Sequence, residues 1–245
     1  MQRIVVLNAK GGSGKTTLAT NLAACYAHRG QSPALLDYDS QGSAMNWLMH
    51  RPKGQPLIHG VNAQKRDTTV TRSWQMRMPP EVSRIVIDTP SAASGPKLTE
   101  YVRQAHIIII PVLPSPIDIH AVTNFLKEIL LLGKMRTVVA SNDDHPRATR
   151  IGVVANRVQD NTRVYEPLQN YLASINLPFV AALRDSQYYI HAFSEGRGIH
   201  ELEDPRLHTL HKQWQPLLDW IEEAPHYPAH PSTTSQQLFE QKYKV

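Results

Sequence analysis

The segment at residues 10–17, which reads Lys-Gly-Gly-Ser-Gly-Lys-Thr-Thr, limits the possible folds of this chain more tightly than any other stretch. It follows a short apolar run at residues 4–7, which is typical of a buried strand. It also opens residues 16–29, where apolar side chains recur at helical spacing until Gly30. A glycine-rich turn between a strand and a helix start directs several backbone N–H groups toward one point. The sequence therefore predicts a phosphate-binding loop.

Two side chains of this loop suit particular parts of a nucleotide. Lys15 would contact the β- and γ-phosphates, and the hydroxyl of Thr16 would complete the coordination of Mg²⁺. The alternative is a glycine-rich loop that binds nothing, and the strand and helix on either side argue against it. We therefore predict ATP and Mg²⁺ as ligands. The nucleotide-binding residues expected in the loop are Gly11, Gly12, Ser13, Gly14, Lys15, Thr16 and Thr17.

Carboxylates end two further strand-like segments. Asp39 follows the strand-like segment at residues 34–37, which reads Ala-Leu-Leu-Asp, and Asp88 ends the segment at residues 84–88. The carboxyl ends of parallel strands are where α/β folds place their chemistry. We predict that Asp39 orients an attacking water or holds the water shell of the metal, and that Asp88 binds Mg²⁺ directly or through water. Either aspartate alone could instead be a turn or helix-capping residue.

The composition narrows the class of protein further. The chain has 245 residues, of which 41% are hydrophobic and 19% charged, enough for one sizeable core. The sequence contains no run of 18 apolar residues, so we expect no transmembrane helix. The first predicted strand begins within four residues of Met1, which leaves no room for a signal peptide. The single cysteine, Cys25, excludes an internal disulfide and a cysteine-rich metal site. We expect a cytoplasmic protein, whose formal net charge of +5 permits contact with nucleic acid or anionic lipid without selecting either.

The rest of the chain alternates between strand-like and helix-like patterns. Asp118 is expected to cap the helix that follows it. Residues 136–140 fit either another strand or an extension of that helix, and residues 57–82 show no clear pattern. The other predicted segments are strands at 106–112, 151–155 and 178–183, and helices at 119–132, 163–174 and 206–223.

These elements predict one domain at residues 1–224. Its expected fold is α/β, with a single doubly wound, mostly parallel sheet and helices on both faces. Residues 225–245 are rich in Pro, His and Ser, which indicates a flexible C-terminal tail.

The phosphate-binding loop departs from the usual P-loop at its start. Ala9 stands where the first glycine of G-x-x-x-x-G-K-[ST] would fall, and an additional lysine, Lys10, follows it. This pattern resembles the deviant Walker A box of the ParA/MinD family of ATPases. The segment ending at Asp39 is similar to the second box of that family, Asp-x-Asp-Pro-Gln-Gly, with Ser40 in place of the proline. The strand ending at Asp88 resembles its Walker B strand.

The resemblance implies a P-loop NTPase fold and an ATP hydrolase that is slow without its partner. It implies that Lys10 reaches across an ATP-dependent homodimer to the nucleotide of the other subunit. The catalytic residues are then expected to be Lys10, Lys15 and Asp39. It also implies that Asn156 reads the adenine edge and that Arg184 lies in the loop near the base. The implied metal ligands are Thr16, Asp39 and Asp88.

The implied biological role is the positioning or segregation of a cargo. In this family an ATP-bound dimer binds DNA without sequence preference, and a ParB-like or McdB-like adaptor protein on the cargo stimulates hydrolysis. The cargo would be a plasmid, a chromosome or a protein body such as a carboxysome, and the protein would associate with the nucleoid. The candidate DNA contacts are Arg136, Arg147, Arg150, Arg163, Arg184 and Arg197, unless these arginines are scattered or paired with acidic residues.

Two alternatives within the same fold stay open. A membrane-bound regulator like MinD would carry a basic amphipathic C-terminal helix, but the apolar residues of 236–245 form no single stripe, so we expect no membrane contact. A metabolic enzyme is the other alternative. A nitrogenase-type iron protein would need two cysteines per subunit, whereas the motifs do not exclude a synthetase acting on a small acid. Lys10 favours the partition-type relatives.

Overall fold

A seven-stranded parallel sheet forms the centre of the molecule. The structure is a computed structural model that describes residues 1–64, 76–139, 149–159 and 165–223, with the backbone alone for 133–139. The strands are β1 (Gln2–Val6), β2 (Pro33–Asp37), β3 (His59–Asn62), β4 (Arg84–Asp88), β5 (Ile107–Val112), β6 (Arg150–Val158) and β7 (Phe179–Arg184).

The strands are arranged in the order β3-β2-β4-β1-β5-β6-β7. Strands β4, β2 and β3 lie on one side of β1, and β5, β6 and β7 lie on the other, so the sheet is doubly wound around β1. Folds of this kind bind ligands in the crevice at the carboxyl ends of the strands, where the winding direction changes.

Helices cover both faces of the sheet. They are α1 (Lys15–His28), α2 (Ser43–Met49), α3 (Gly95–Gln104), α4 (Pro116–Val139), α5 (Glu166–Ser174), α6 (Gln187–Ser194) and α7 (His208–Glu222). On one face, α1, α2, α6 and α7 pack with the side chains of Ile4 and Val6. On the other face, α3, α4 and α5 pack with Val5 and Leu7. The alternation along β1 follows from the pleat, and burial on both faces explains the continuous apolar runs.

This architecture confirms the predicted doubly wound α/β fold. Residues 136–139 belong to α4, so the helical alternative for this segment is correct and the strand alternative is wrong. In the described part of the unassigned stretch, β3 forms a strand at one edge of the sheet. The predicted start of the 163–174 helix and the predicted tail at 225–245 lie outside the described residues. Within those residues no helix is long and apolar enough to cross a bilayer.

The start of α4 corrects the role predicted for Asp118. The helix begins at Pro116, because Ser115 accepts a hydrogen bond at its Oγ from the backbone N–H of Asp118, at 3.2 Å. Ser115 is therefore the cap, and proline suits the first helical position. Asp118 lies inside the first turn, where a carboxylate is favoured by the helix dipole.

Candidate nucleotide-binding site

The glycine-rich loop joins the carboxyl end of β1 to the first turn of α1. Gly14 precedes α1 with φ of +87°, a conformation that glycine adopts without strain. A Cβ atom at Gly14 would also lie 2.1 Å from Nδ2 of Asn156, so this position has no space for a side chain. The loop therefore brings the N–H groups at the N-terminus of α1 to the crevice where the winding direction of the sheet changes.

Lys15 is the cation at the centre of this loop. Its side chain is buried, and Nζ donates to the carbonyl oxygen of Lys10 at 3.2 Å and to Oγ of Ser91 at 3.3 Å. Burial lowers the pKa of Lys15, and the negative charges of Asp88 and Asp39 oppose that change. A phosphate group in the loop would replace these neutral acceptors with a charged one, which binds an ammonium more strongly.

Asp88 is a buried carboxylate next to the loop. It is fully buried at the end of β4, and within the described part of the chain neither oxygen has a well-formed hydrogen bond. Burial raises the pKa of Asp88 to about 7, and the nearby Asp37 adds to the rise, while the hydroxyl of Thr16 and the ammonium of Lys15 oppose it. Such an orphaned carboxylate beside a hydroxyl matches the hard oxygen ligands that Mg²⁺ prefers.

The described residues contain no cluster of three His, Cys, Asp or Glu side chains that could hold a metal alone. Magnesium sites at nucleotides do not need such a cluster, because one or two carboxylates combine with phosphate oxygens and water. Asp88 and Thr16 therefore fit the ion as it is held in nucleotide sites.

Asp37 is a residue of the candidate site to which the sequence analysis gave no role. It pairs in register with Asp88 on the neighbouring strand and is fully buried. Its two oxygens accept from the backbone N–H groups of Asp39 at 2.9 Å and Met45 at 3.0 Å. Asp37 thus holds the turn that presents Asp39, which is half-buried and close enough to Lys15 to affect its pKa. A carboxylate at the very end of a buried strand was the available signal.

The side chain of Lys10 points away from the phosphate-binding loop. Its backbone N–H donates to Oδ1 of Asn8 at 2.9 Å, and Nδ2 of Asn8 donates to the carbonyl of Pro111 at the end of β5. The side chain runs along the carboxyl edge of the sheet to Asp118, and Nζ lies 2.5 Å from Oδ1 of that residue. The lysine is therefore anchored at its backbone and 41% exposed along its side chain.

The structure brings Asn156 to the loop and Arg184 to the neighbouring strand end. Nδ2 of Asn156 donates to the carbonyl of Ser13 at 2.9 Å, so its amide also braces the loop. Arg184 ends β7 opposite Val158 of β6, and its backbone N–H donates to Gln213. Both residues lie at the carboxyl edge, and their contact with a base stays a prediction.

The candidate DNA contacts do not share one surface. Arg150 begins β6 at the amino edge, donates to the carbonyl of Glu223 at 2.8 Å and stacks over Trp220 at 4.4 Å. Arg184 on β7 pairs with Val158, which lies eight residues after Arg150 on β6. At the rise of a strand, eight residues span about 26 Å, so the two arginines lie at opposite edges of the sheet. Arg197 lies 3.8 Å from a carboxylate oxygen of Glu195. The side chains of Arg136, Arg147 and Arg163 lie outside the described residues.

The fold and the loop together define a nucleotide-binding protein of the P-loop class. The chain belongs to the CobQ/CobB/MinD/ParA nucleotide binding domain family, which matches residues 4–199. The resemblance of its three boxes to the ParA/MinD ATPases is thereby confirmed.

Among its relatives are two proteins named maintenance of carboxysome distribution protein A. The one from Gloeobacter kilaueensis is 33% identical over 155 residues, which are 63% of this chain and 68% of the relative. The one from Halothiobacillus neapolitanus is 24% identical over 204 residues, 81% of this chain and 87% of the relative. The ATP complex of an McdA variant from Cyanothece has the same fold, with a TM-score of 0.64, 16% identity, and coverage of 92% and 99% of the two chains.

Proposed function

We propose that this chain is an ATP hydrolase that positions a cargo by forming an ATP-dependent homodimer on DNA. The observation that carries the proposal is the geometry of Lys10, whose backbone is fixed in the phosphate loop while its side chain leads out along the exposed edge. An ammonium in that position serves a neighbouring subunit better than its own nucleotide. Ile117, next to Asp118, is 76% exposed at the same edge, and an apolar side chain there suits contact with a second copy.

The residues around the loop divide the chemistry among them. The loop N–H groups and Lys15 would bind the phosphates, and Asp39 would orient the attacking water. Thr16 and Asp88 would hold Mg²⁺, which when bound neutralises phosphate charge during transfer. In the dimer, Lys10 would add a positive charge from the facing subunit, in the manner of an arginine finger.

The names of the relatives favour a protein body such as a carboxysome as the cargo, with a plasmid or chromosome as the other candidates. An adaptor protein of the ParB or McdB kind on the cargo would accelerate a slow basal hydrolysis. Binding to DNA would place the protein on the nucleoid in the cytoplasm. Asn156 and Arg184 are proposed as contacts of the adenine base, because both lie at the carboxyl edge beside the loop.

The DNA step predicts a nucleotide-dependent and salt-dependent affinity. The chain should shift unrelated duplexes with ATP and much less with ADP, because a dimer presents twice the basic surface of a monomer. The logarithm of the binding constant should fall with the logarithm of salt concentration, with a slope of about −0.9 for each phosphate contacted. An electrophoretic shift assay over a salt series in both nucleotides measures this.

Arg150→Ala provides a matched control for the same assay. Its guanidinium is already bound to Glu223 and Trp220 at the amino edge, so its loss should change DNA affinity little. Equal binding in ADP and ATP, or a flat response to salt, would remove the support for DNA binding.

A further inference from the structure

The ion pair between Lys10 and Asp118 has one fixed member and one movable member. The side chain of Asp118 is 9% exposed, and its second oxygen accepts from the hydroxyl of Ser115. The first turn of α4 also favours negative charge at this position. Lys10 is a flexible, 41% exposed side chain that meets this carboxylate with its tip. The lysine is therefore the member that can leave.

The backbone of Lys10 is held independently of the ion pair. Its N–H donates to Asn8, and its carbonyl accepts from Nζ of Lys15. Rotation of the Lys10 side chain therefore does not require the phosphate loop to rearrange. The ammonium can take two positions, one on Asp118 and one away from it, with the same loop geometry.

We propose that Asp118 is a positioning residue that holds Lys10 within its own subunit until a second, ATP-bound subunit faces it. The inference rests on the proposed function, in which Lys10 acts across the dimer. Asp118 lies below the surface of its own subunit, so an ammonium 2.5 Å from it cannot at the same time extend into the facing subunit. The triphosphate carries more negative charge than one carboxylate and would attract the ammonium away. Each subunit must then break this ion pair when it dimerises, which makes the free energy of dimerisation less favourable.

Asp118→Asn removes that cost while keeping the shape and the hydrogen bond from Ser115. The Lys10 end of the ion pair is 41% exposed, so solvent screens the pair and keeps it weak. The ATP-bound dimer should therefore tighten by only about 3- to 10-fold. Glu128→Gln is the matched control, because it neutralises an exposed carboxylate on the same helix about 15 Å further along. Sedimentation of the full chain with ATPγS measures the dimer dissociation constant of each variant.

A second measurement follows Lys10 itself in the nucleotide-free chain. Labelling by an amine-reactive reagent, read by mass spectrometry at Lys10, should be several-fold faster in Asp118→Asn than in the wild type or Glu128→Gln. Faster labelling with a tighter dimer supports the inference. Unchanged labelling, or an unchanged or weaker dimer in Asp118→Asn, overturns it while the proposed function stands. A wild-type chain that stays monomeric with ATPγS would overturn the proposed function instead.

Discussion

Lys15→Ala should abolish tight ATP binding while leaving the chain folded. The ammonium of Lys15 lies in the loop on neutral acceptors, and a phosphate group there would receive a charge-assisted hydrogen bond. Losing a bond of about 3 kcal/mol to a charged group lowers affinity about 150-fold. Calorimetric titration with ATP measures the loss directly.

Thermal unfolding provides a second readout of the same prediction. A ligand that binds only the folded state raises its stability, so ATP should raise the melting temperature of the wild type and not that of Lys15→Ala. Lys97→Ala is the control, because Lys97 is an exposed lysine on α3, and it should behave as the wild type. Wild-type ATP affinity in Lys15→Ala would mean that the loop does not bind phosphate.

Asp88→Asn should reduce Mg²⁺-dependent hydrolysis and stabilise the nucleotide-free fold at the same time. The pKa of Asp88 is about 7 in the folded chain and about 4 in an unfolded one. Below pH 4 the group is protonated in both states and contributes nothing. Between pH 4 and 7 the unfolded state releases the proton first, so stability falls as pH rises and then levels off above pH 7.

The asparagine variant removes this titration. Its melting temperature should match that of the wild type near pH 4 and exceed it at pH 8. At pH 8 its free energy of unfolding should exceed that of the wild type by at most about 4 kcal/mol, because the pKa of Asp88 rises from about 4 to about 7 on folding. Its hydrolysis rate with Mg²⁺ should fall on the order of 100-fold, because the metal loses a ligand. Asp219→Asn, at an exposed site on α7, is the control. A variant that is no more stable at pH 8 than at pH 4, relative to the wild type, would contradict the burial argument.

The parts of the fold that the sequence predicted are those with strong local patterns. Strands buried on both faces read as unbroken apolar runs, and a glycine-rich loop needs conformations that few other residues allow. The start of α4 also had a local signal, since Ser115, Pro116 and Asp118 occupy the cap, first and third positions of a helix. The short helices α3 and α6 were not predicted, although α3 carries a clear amphipathic pattern.

The contacts that the sequence did not predict join residues far apart in the chain. Four strands, β2 to β5, lie between Lys10 and Asp118 along the chain. Asn156 meets Ser13 only because β6 and β1 end at the same edge. The sequence also did not show that candidate DNA contacts lie at different edges of the sheet, with Arg150 at the amino edge and Arg184 at the carboxyl edge. Such relations depend on the packed sheet, which local patterns do not encode.

Mixing of variant subunits tests whether Lys10 acts across the dimer. Lys15→Gln should fail to bind ATP, and Lys10→Ala should bind ATP but lack the charge supplied to the facing subunit, so each alone should hydrolyse ATP poorly. In a mixed dimer, the intact Lys10 of the Lys15→Gln subunit faces the nucleotide of the Lys10→Ala subunit. Differently tagged subunits that co-purify with ATP should therefore hydrolyse it faster than the sum of the separate variants. If the co-purified dimers show no more than the summed activity, or if Lys10→Ala alone hydrolyses ATP at the wild-type rate, Lys10 does not act across the dimer.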